Sequence, residues 1–202
     1  MRLSRITLAS ASPRRYELLR SLGLYVDVVV SGYEEPPCSD LRPAELASRH
    51  AAEKLRATLA ACRASAPEAP VLAADTVVDL DGLALGKPRD PAEAARMLAM
   101  LSSRTHAVHT AFALAPARAA PWIEERVTTS VRFYALTAGE IAEYVATGEP
   151  FDKAGGYGIQ GRAASLVERI DGDFYTVVGL PLAHVIRALR RSGFELPKTN
   201  QE

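Results

Sequence analysis

An aspartate interrupts an otherwise apolar strand pattern at Ala73-Ala74-Asp75-Thr76, within the segment Val71 to Leu80. A carboxylate taken out of water is costly unless it is paired, bound to metal or used in a reaction. Asp75 therefore reads as a group that binds a divalent ion or takes a proton from water, or as a strand-end acid making a structural hydrogen bond. A second site of chemical interest is Ser10-Ala11-Ser12-Pro13-Arg14-Arg15. A short strand there feeds a helix N-terminus, whose free N–H groups and dipole favour an anion. Two guanidiniums in the first turn oppose that dipole unless an anion is present; the alternative is a capped helix with solvated arginines. Three lysines stand in turn or small-residue contexts, at Glu53-Lys54, Gly86-Lys87-Pro88 and Asp152-Lys153-Ala154. A triphosphate carries about four negative charges, so cations from several elements must converge on it. Each lysine alone reads first as a solvated surface group. Gly155 to Gly161 carries Tyr157 and Gln160, a ring and an amide that either read a base or decorate a loop.

Two nucleotide motifs do not hold. Gly156-Tyr157-Gly158-Ile159-Gln160-Gly161 spells GxGxxG, but a Pro- and Asp-bearing loop precedes it, a strand pattern follows, and Pro181 stands where an acid is required. Gly82-Leu83-Ala84-Leu85-Gly86-Lys87 is one residue short of a P-loop, and Pro88 replaces the metal-binding hydroxyl.

Lys plus Arg and Asp plus Glu both number 24 in 202 residues, so no basic excess suggests a nucleic-acid polymer or an anionic membrane as partner. Hydrophobic residues make up 48%, enough for a real core. Cys38 and Cys62 are far apart and fit no metal spacing, so both are expected as reduced thiols. No apolar run is long enough for a signal peptide or a membrane span, which makes the cytoplasm the expected compartment.

The elements that must position these groups follow from periodicity and punctuation. Ile6 to Ala9 reads as a strand, and Ser12-Pro13 opens a helix that Gly23 closes. Tyr25 to Val30 reads as a buried strand and Leu41 to Ala64 as a long helix. Val71 to Leu80 and Leu83 to Leu85 flank an Asp81-Gly82 hairpin turn. Asp90 to Glu93 has the form of a capping box and opens a helix to about Leu101. Thr105 to Ala115 and Trp122 to Leu136 alternate as an antiparallel pair with one solvated face. Thr137 and Glu140 box a further helix that Gly148 stops, and a glycine-rich loop runs from Glu149 to Gly161. Ala164 to Ile170 and Phe174 to Val178 read as strands, and Pro181 starts a last helix that Gly193 ends. Interleaved strands and helices with late hairpins predict an α/β fold with a mixed sheet and flanking helices. One domain is expected over residues 1–197, with a polar tail at 198–202.

In their order, Leu8 to Arg15, Ala74 to Val78, Leu85 to Asp90, Gly148 to Gly155 and Val177 to Leu182 resemble the Maf family of nucleoside triphosphate pyrophosphatases, over nearly the whole chain. The resemblance implies an elongated mixed sheet with two lobes around a nucleotide-binding cleft (Maf/ITPase-like). It implies hydrolysis between the α- and β-phosphates with a divalent cation such as Mg or Mn, its ligands unassigned. On that basis Asp75 is the acid that activates water. Arg15, Lys54 and Lys87 match phosphate-binding cations, Ser10 a strand-end hydroxyl, and Glu34 an acidic position that helps hold metal. Arg14, Thr76 and Gln160 match the type that acts on dTTP and UTP rather than on 7-methyl-GTP. A Gln amide suits the O4 and N3–H edge of thymine or uracil, and modified pyrimidines fit the same edge. Family members are also associated with inhibition of septum formation, so a nucleotide-responsive regulator is the alternative role, and a homodimer is the expected assembly. Ser103, Arg162-Ala163-Ala164-Ser165 and Tyr175-Thr176 depart from the family pattern, the first two reading as packing changes.

Overall fold

The computed structural model describes residues 1–36, 40–62, 69–116 and 121–197. Its frame is one seven-stranded mixed sheet in the order β2 (Tyr25–Val28), β1 (Arg5–Leu8), β3 (Val71–Leu80), β5 (Thr105–Ala115), β6 (Ile123–Phe133) and β7 (Val167–Asp171), with β4 (Leu83–Leu85) also paired to β3. β1 runs parallel to β2 and β3, and the remaining pairs are antiparallel. The parallel pairs need crossovers, which α1 (Pro13–Arg20) and α2 (Pro43–Ala61) supply. Of the antiparallel pairs, β3 and β4 are joined by a tight turn, whereas α3 (Pro91–Leu101) precedes β5 and α4 (Ala138–Ala146) precedes β7. Asp81 and Gly82 both take positive φ, 52° and 87°, as the two-residue hairpin turn requires.

Side chains along β3 alternate between faces and so divide the core. Val71, Ala73 and Val77 join α2 in one apolar cluster with Ala111 and Ala113. Leu72 and Ala74 pack on the opposite face with β1, α1 and α6 (Leu182–Arg191). Further along, Val78 and Leu80 enter a third cluster built with α3 (Pro91–Leu101), α4 (Ala138–Ala146) and the ends of β5 and β6. The long strands therefore carry two lobes, with a cleft where the clusters part.

Several local expectations are corrected. β2 is an edge strand, largely exposed rather than buried. β5 does not alternate; from Val108 onward it is buried throughout, because it is a central strand with α2 against one face and α5 (Phe174–Val178) against the other. The α5 segment, expected as a strand, is also corrected. It is a helix because the Asp173 carboxylate accepts hydrogen bonds from both the N–H and the hydroxyl of Thr176, at 2.6 and 2.7 Å, satisfying an otherwise orphaned donor. The Asp90 cap forms, but Glu93 reaches back to the N–H of Arg89 rather than closing the box on Asp90. The Thr137–Glu140 box closes as expected. Residues Glu149–Asp152, Ala154–Gly156 and Gly161–Ser165 form three short 3-10 turns, so the glycine-rich segment is built rather than loose. Ser103 has φ 59°, a left-handed conformation that favours glycine, so the expectation of a mere packing change there is corrected to a conformational demand. Cys62 is a free thiol, while Cys38, Ala64 and the 198–202 tail lie outside the described residues. Among the described residues no helix is long and apolar enough to cross a membrane.

Candidate active site

The cleft has a volume of about 860 Å³ and gathers residues from both lobes. Strand β1 ends at Leu8 and delivers Ser10 to its floor, where the Ser10 hydroxyl accepts from the N–H of Ser12 at 3.2 Å. Pro13 then fixes the first turn of α1, and Arg14 and Arg15 leave that turn in different directions. Arg14 donates to Asp152 across the cleft at 2.9 Å. Arg15 is buried under the floor and donates four hydrogen bonds to the protein: Nε to Gly179 O at 2.7 Å, Nη1 to Ser10 Oγ at 3.1 Å and Ala74 O at 2.9 Å, and Nη2 to Thr76 Oγ1 at 3.0 Å. Burial pulls its pKa below the ordinary arginine value, the Asp75 carboxylate opposes that, and a guanidinium remains charged throughout.

Asp75 emerges on the face of β3 opposite to Thr76. It is 7% exposed, and the Nζ of Lys54, from the middle of α2, lies 2.6 Å from its Oδ1. The same nitrogen is 2.6 Å from Oε1 of Glu35. One cation thus holds two carboxylates. Burial pushes the Glu35 pKa up, but the hydrogen bond and charge of Lys54, with smaller help from His50 and Lys87, bring it below the ordinary glutamate value. Glu35 is a residue the motif reading missed. Glu34 is exposed and does not line the cleft, whereas its neighbour does. The signal was present in extended-chain alternation: Tyr33 and Glu35 share a side, and the Tyr33 hydroxyl is 3.1 Å from Nδ1 of His50 on α2.

Lys87 follows β4 and lies exposed on the cleft wall, with no ion pair among the described residues. Gln160 also lines the cleft. Its segment is anchored at three points: the Tyr157 hydroxyl is 2.7 Å from Nε2 of His106, Gly158 N donates to the Tyr144 hydroxyl, and Gly155 N donates to Gly86 O at 2.9 Å. Lys153 reaches Glu149 O and the Asp152 carboxylate, both at 2.6 Å. Asp152 is a second residue sequence reading passed over. All the expected positions except Glu34 meet in this one cleft: Ser10, Arg14, Arg15, Lys54, Asp75, Thr76, Lys87 and Gln160. The GxGxxG letters are followed by a short 3-10 turn and then strand β7, not by an α-helix, so no dinucleotide fold surrounds them.

A cleft walled by cations from four elements, with one buried acid paired to Lys54, suits a polyanion that reacts with water. The family model described as "Maf-like protein" matches residues 5–192. The chain belongs to the Maf-like family. Among curated Maf relatives, a dTTP/UTP pyrophosphatase of Moorella thermoacetica is 48% identical over 194 residues, 96% of this chain and 98% of that one. A protein of the same name from Thermus thermophilus is 49% identical over 189 residues, covering 94% and 95%. Another, from Symbiobacterium thermophilum, is 46% identical over 194 residues, covering 96% and 97%. The solved Ham1 protein of Staphylococcus aureus superposes with a TM-score of 0.46 at 12% identity, covering 90% of this chain and 98% of that one, a likeness below what fixes a shared fold.

Proposed function

We propose that this chain hydrolyses dTTP and UTP to the monophosphate and pyrophosphate, in the cytoplasm where nucleotide pools are held. The observation that carries the reading is the Asp75–Lys54–Glu35 arrangement on a cleft wall, with a helix N-terminus and Lys87 beside it. Near-full-length relatives at 46–49% identity bear the name of that activity. In the reaction Asp75 takes a proton from water, whose oxygen bonds to the α-phosphorus. The bond from the α-phosphorus to the bridging oxygen breaks, and pyrophosphate leaves with the electron pair. Lys54, 2.6 Å from Oδ1, holds the Asp75 carboxylate in place for that transfer. Lys87 and the α1 N-terminus face the phosphates, and Arg15 acts from beneath with at most one N–H to spare.

The donor set fits a hard divalent cation. Magnesium and manganese are held by one or two carboxylates plus substrate oxygens rather than by an all-protein cage. Asp75 and Glu35 are such a pair, and the described residues hold no larger cluster. Bound there, the cation neutralises charge on the phosphates. Gln160 and Arg14 line the same cleft and would read the base, since a Gln amide pairs with thymine or uracil.

The test is pyrophosphate release from dTTP, UTP, CTP, GTP and 7-methyl-GTP with magnesium or manganese. Preference for dTTP and UTP is expected. Preference for 7-methyl-GTP overturns the base assignment. Folded protein that binds these nucleotides and cleaves none is a nucleotide-responsive regulator instead.

A further inference from the structure

Four groups behind the cleft form a hydrogen-bond chain whose direction is fixed. Arg15 Nη2 lies 3.0 Å from Thr76 Oγ1, Thr76 Oγ1 lies 2.9 Å from Thr110 Oγ1, and Thr110 Oγ1 lies 2.7 Å from the carbonyl oxygen of Thr176. A guanidinium can only donate and a carbonyl can only accept. The one hydroxyl proton of Thr110 therefore goes to Thr176 O. Thr110 must accept from Thr76, and Thr76 must accept from Arg15. Every proton is assigned without choosing a tautomer.

The chain bears on Asp75 by position. Thr76 and Thr110 face each other across β3 and β5, and both Thr110 and Thr176 have no exposed surface. Arg15 holds Ala74 O through Nη1 and Thr76 Oγ1 through Nη2. These are the residues on either side of Asp75, gripped from the face opposite to its carboxylate. Thr110 also spends the Thr76 proton, so Thr76 offers the cleft a lone pair and a methyl group but no donor.

We infer that Thr110, which lies outside the cleft lining, is a positioning residue for the hydrolysis: its hydroxyl ends the Arg15–Thr76 chain and so sets strand β3 at Asp75. The inference rests on the pyrophosphatase reading and assigns a part of that site. Removing the hydroxyl leaves Thr176 O without its donor and frees the Thr76 proton to turn elsewhere, while burial of the nucleotide is untouched. The effect then falls on turnover rather than on affinity, as expected when a reacting group is displaced by a fraction of an ångström.

The experiment is steady-state pyrophosphate release from dTTP by the parent chain, T110V, T110S, T110C, T76V and T76V/T110V. T110V conserves shape without the hydroxyl; should it not fold, T110C, with its weak thiol donor, takes its place. Expected are a loss in kcat of about tenfold or more with KM within about threefold, and recovery by T110S to within about threefold of the parent. In the T76V background T110V adds less than about threefold, since both break one chain. T110V turning over like the parent, T110S as poor as T110V, or two losses that multiply in full each overturn the inference. A folded parent that cleaves no nucleotide overturns the pyrophosphatase reading and this inference together.

Discussion

The Nζ of Lys54 lies 2.6 Å from Oδ1 of Asp75, and the two residues come from the middle of a helix and the middle of a strand. The pair is nearly closed to solvent on both sides, and Glu35 completes it on the side that opens to the cleft. Two carboxylates around one ammonium leave a local charge of minus one. That excess suits a proton acceptor and a metal ion together better than a structural ion pair.

Asp75→Asn keeps the shape of the side chain and removes its basicity. Turnover of dTTP is expected to fall by roughly 10²–10⁴ while nucleotide binding persists, the range typical of a lost general base. Calorimetric binding alongside pyrophosphate release checks it. Normal turnover would show that another group activates water.

Lys54→Met removes the cation that keeps Glu35 acidic. Burial is then opposed only by the weaker charges of His50 and Lys87, so the Glu35 pKa rises relative to the parent. In the parent, its folded pKa is lowered, so its contribution is present above the unfolded pKa and is lost as the pH falls through the folded one. The acid limb of the kcat/KM profile is expected to shift to higher pH in the variant. An unmoved limb would exclude Glu35 from the reactive set.

His106 is buried between Phe133 and Tyr157, and burial lowers its pKa from 6.5 to about 4. The unfolded chain therefore binds this proton more readily between those values, and stability is lost as the pH falls from 6.5 to about 4. The whole effect is of order 3 kcal/mol. His106→Gln, which does not titrate, is expected to flatten the Tm against pH curve over that window. A curve as steep as the parent's would place the proton elsewhere.

Gly155 has φ 70°, and a Cβ there would meet the Cγ2 of Val78 at 3.0 Å. Gly155→Ala is expected to cost about 1–3 kcal/mol in denaturant unfolding from backbone strain alone. An unchanged midpoint would mean that the turn relaxes.

Chelation by EDTA should abolish turnover, and magnesium or manganese should restore it. Activity that survives exhaustive chelation would leave the cation without a role.

The fold was legible wherever local rules and tertiary packing agreed. The Asp81-Gly82 turn, the Thr137–Glu140 box and the limits of β3 follow from short-range chemistry. Phe174 to Val178 was misread because a single carboxylate, Asp173, outweighs five residues of strand propensity. β5 was misread because its burial depends on which strands flank it, which no alternation pattern carries. Within the site, residue types pointed to Asp75 and Arg15, since each is expensive where it stands, whereas the lysines stood out only by their convergence. Glu35 was missed because choosing between adjacent acids needs the side of the chain they face. Thr110 was invisible because a buried threonine in a strand costs nothing unusual until its partners are known.

Gly155 donates its N–H to Gly86 O, which ties the segment bearing Gln160 and the segment bearing Lys87 into one piece. On the proposed reading one end of that piece inspects the base and the other holds the phosphates. A nucleotide with the wrong base then drags a phosphate cation out of register. Selectivity becomes a matter of timing, exercised on substrates already bound, and a poor substrate occupies the cleft without being cut.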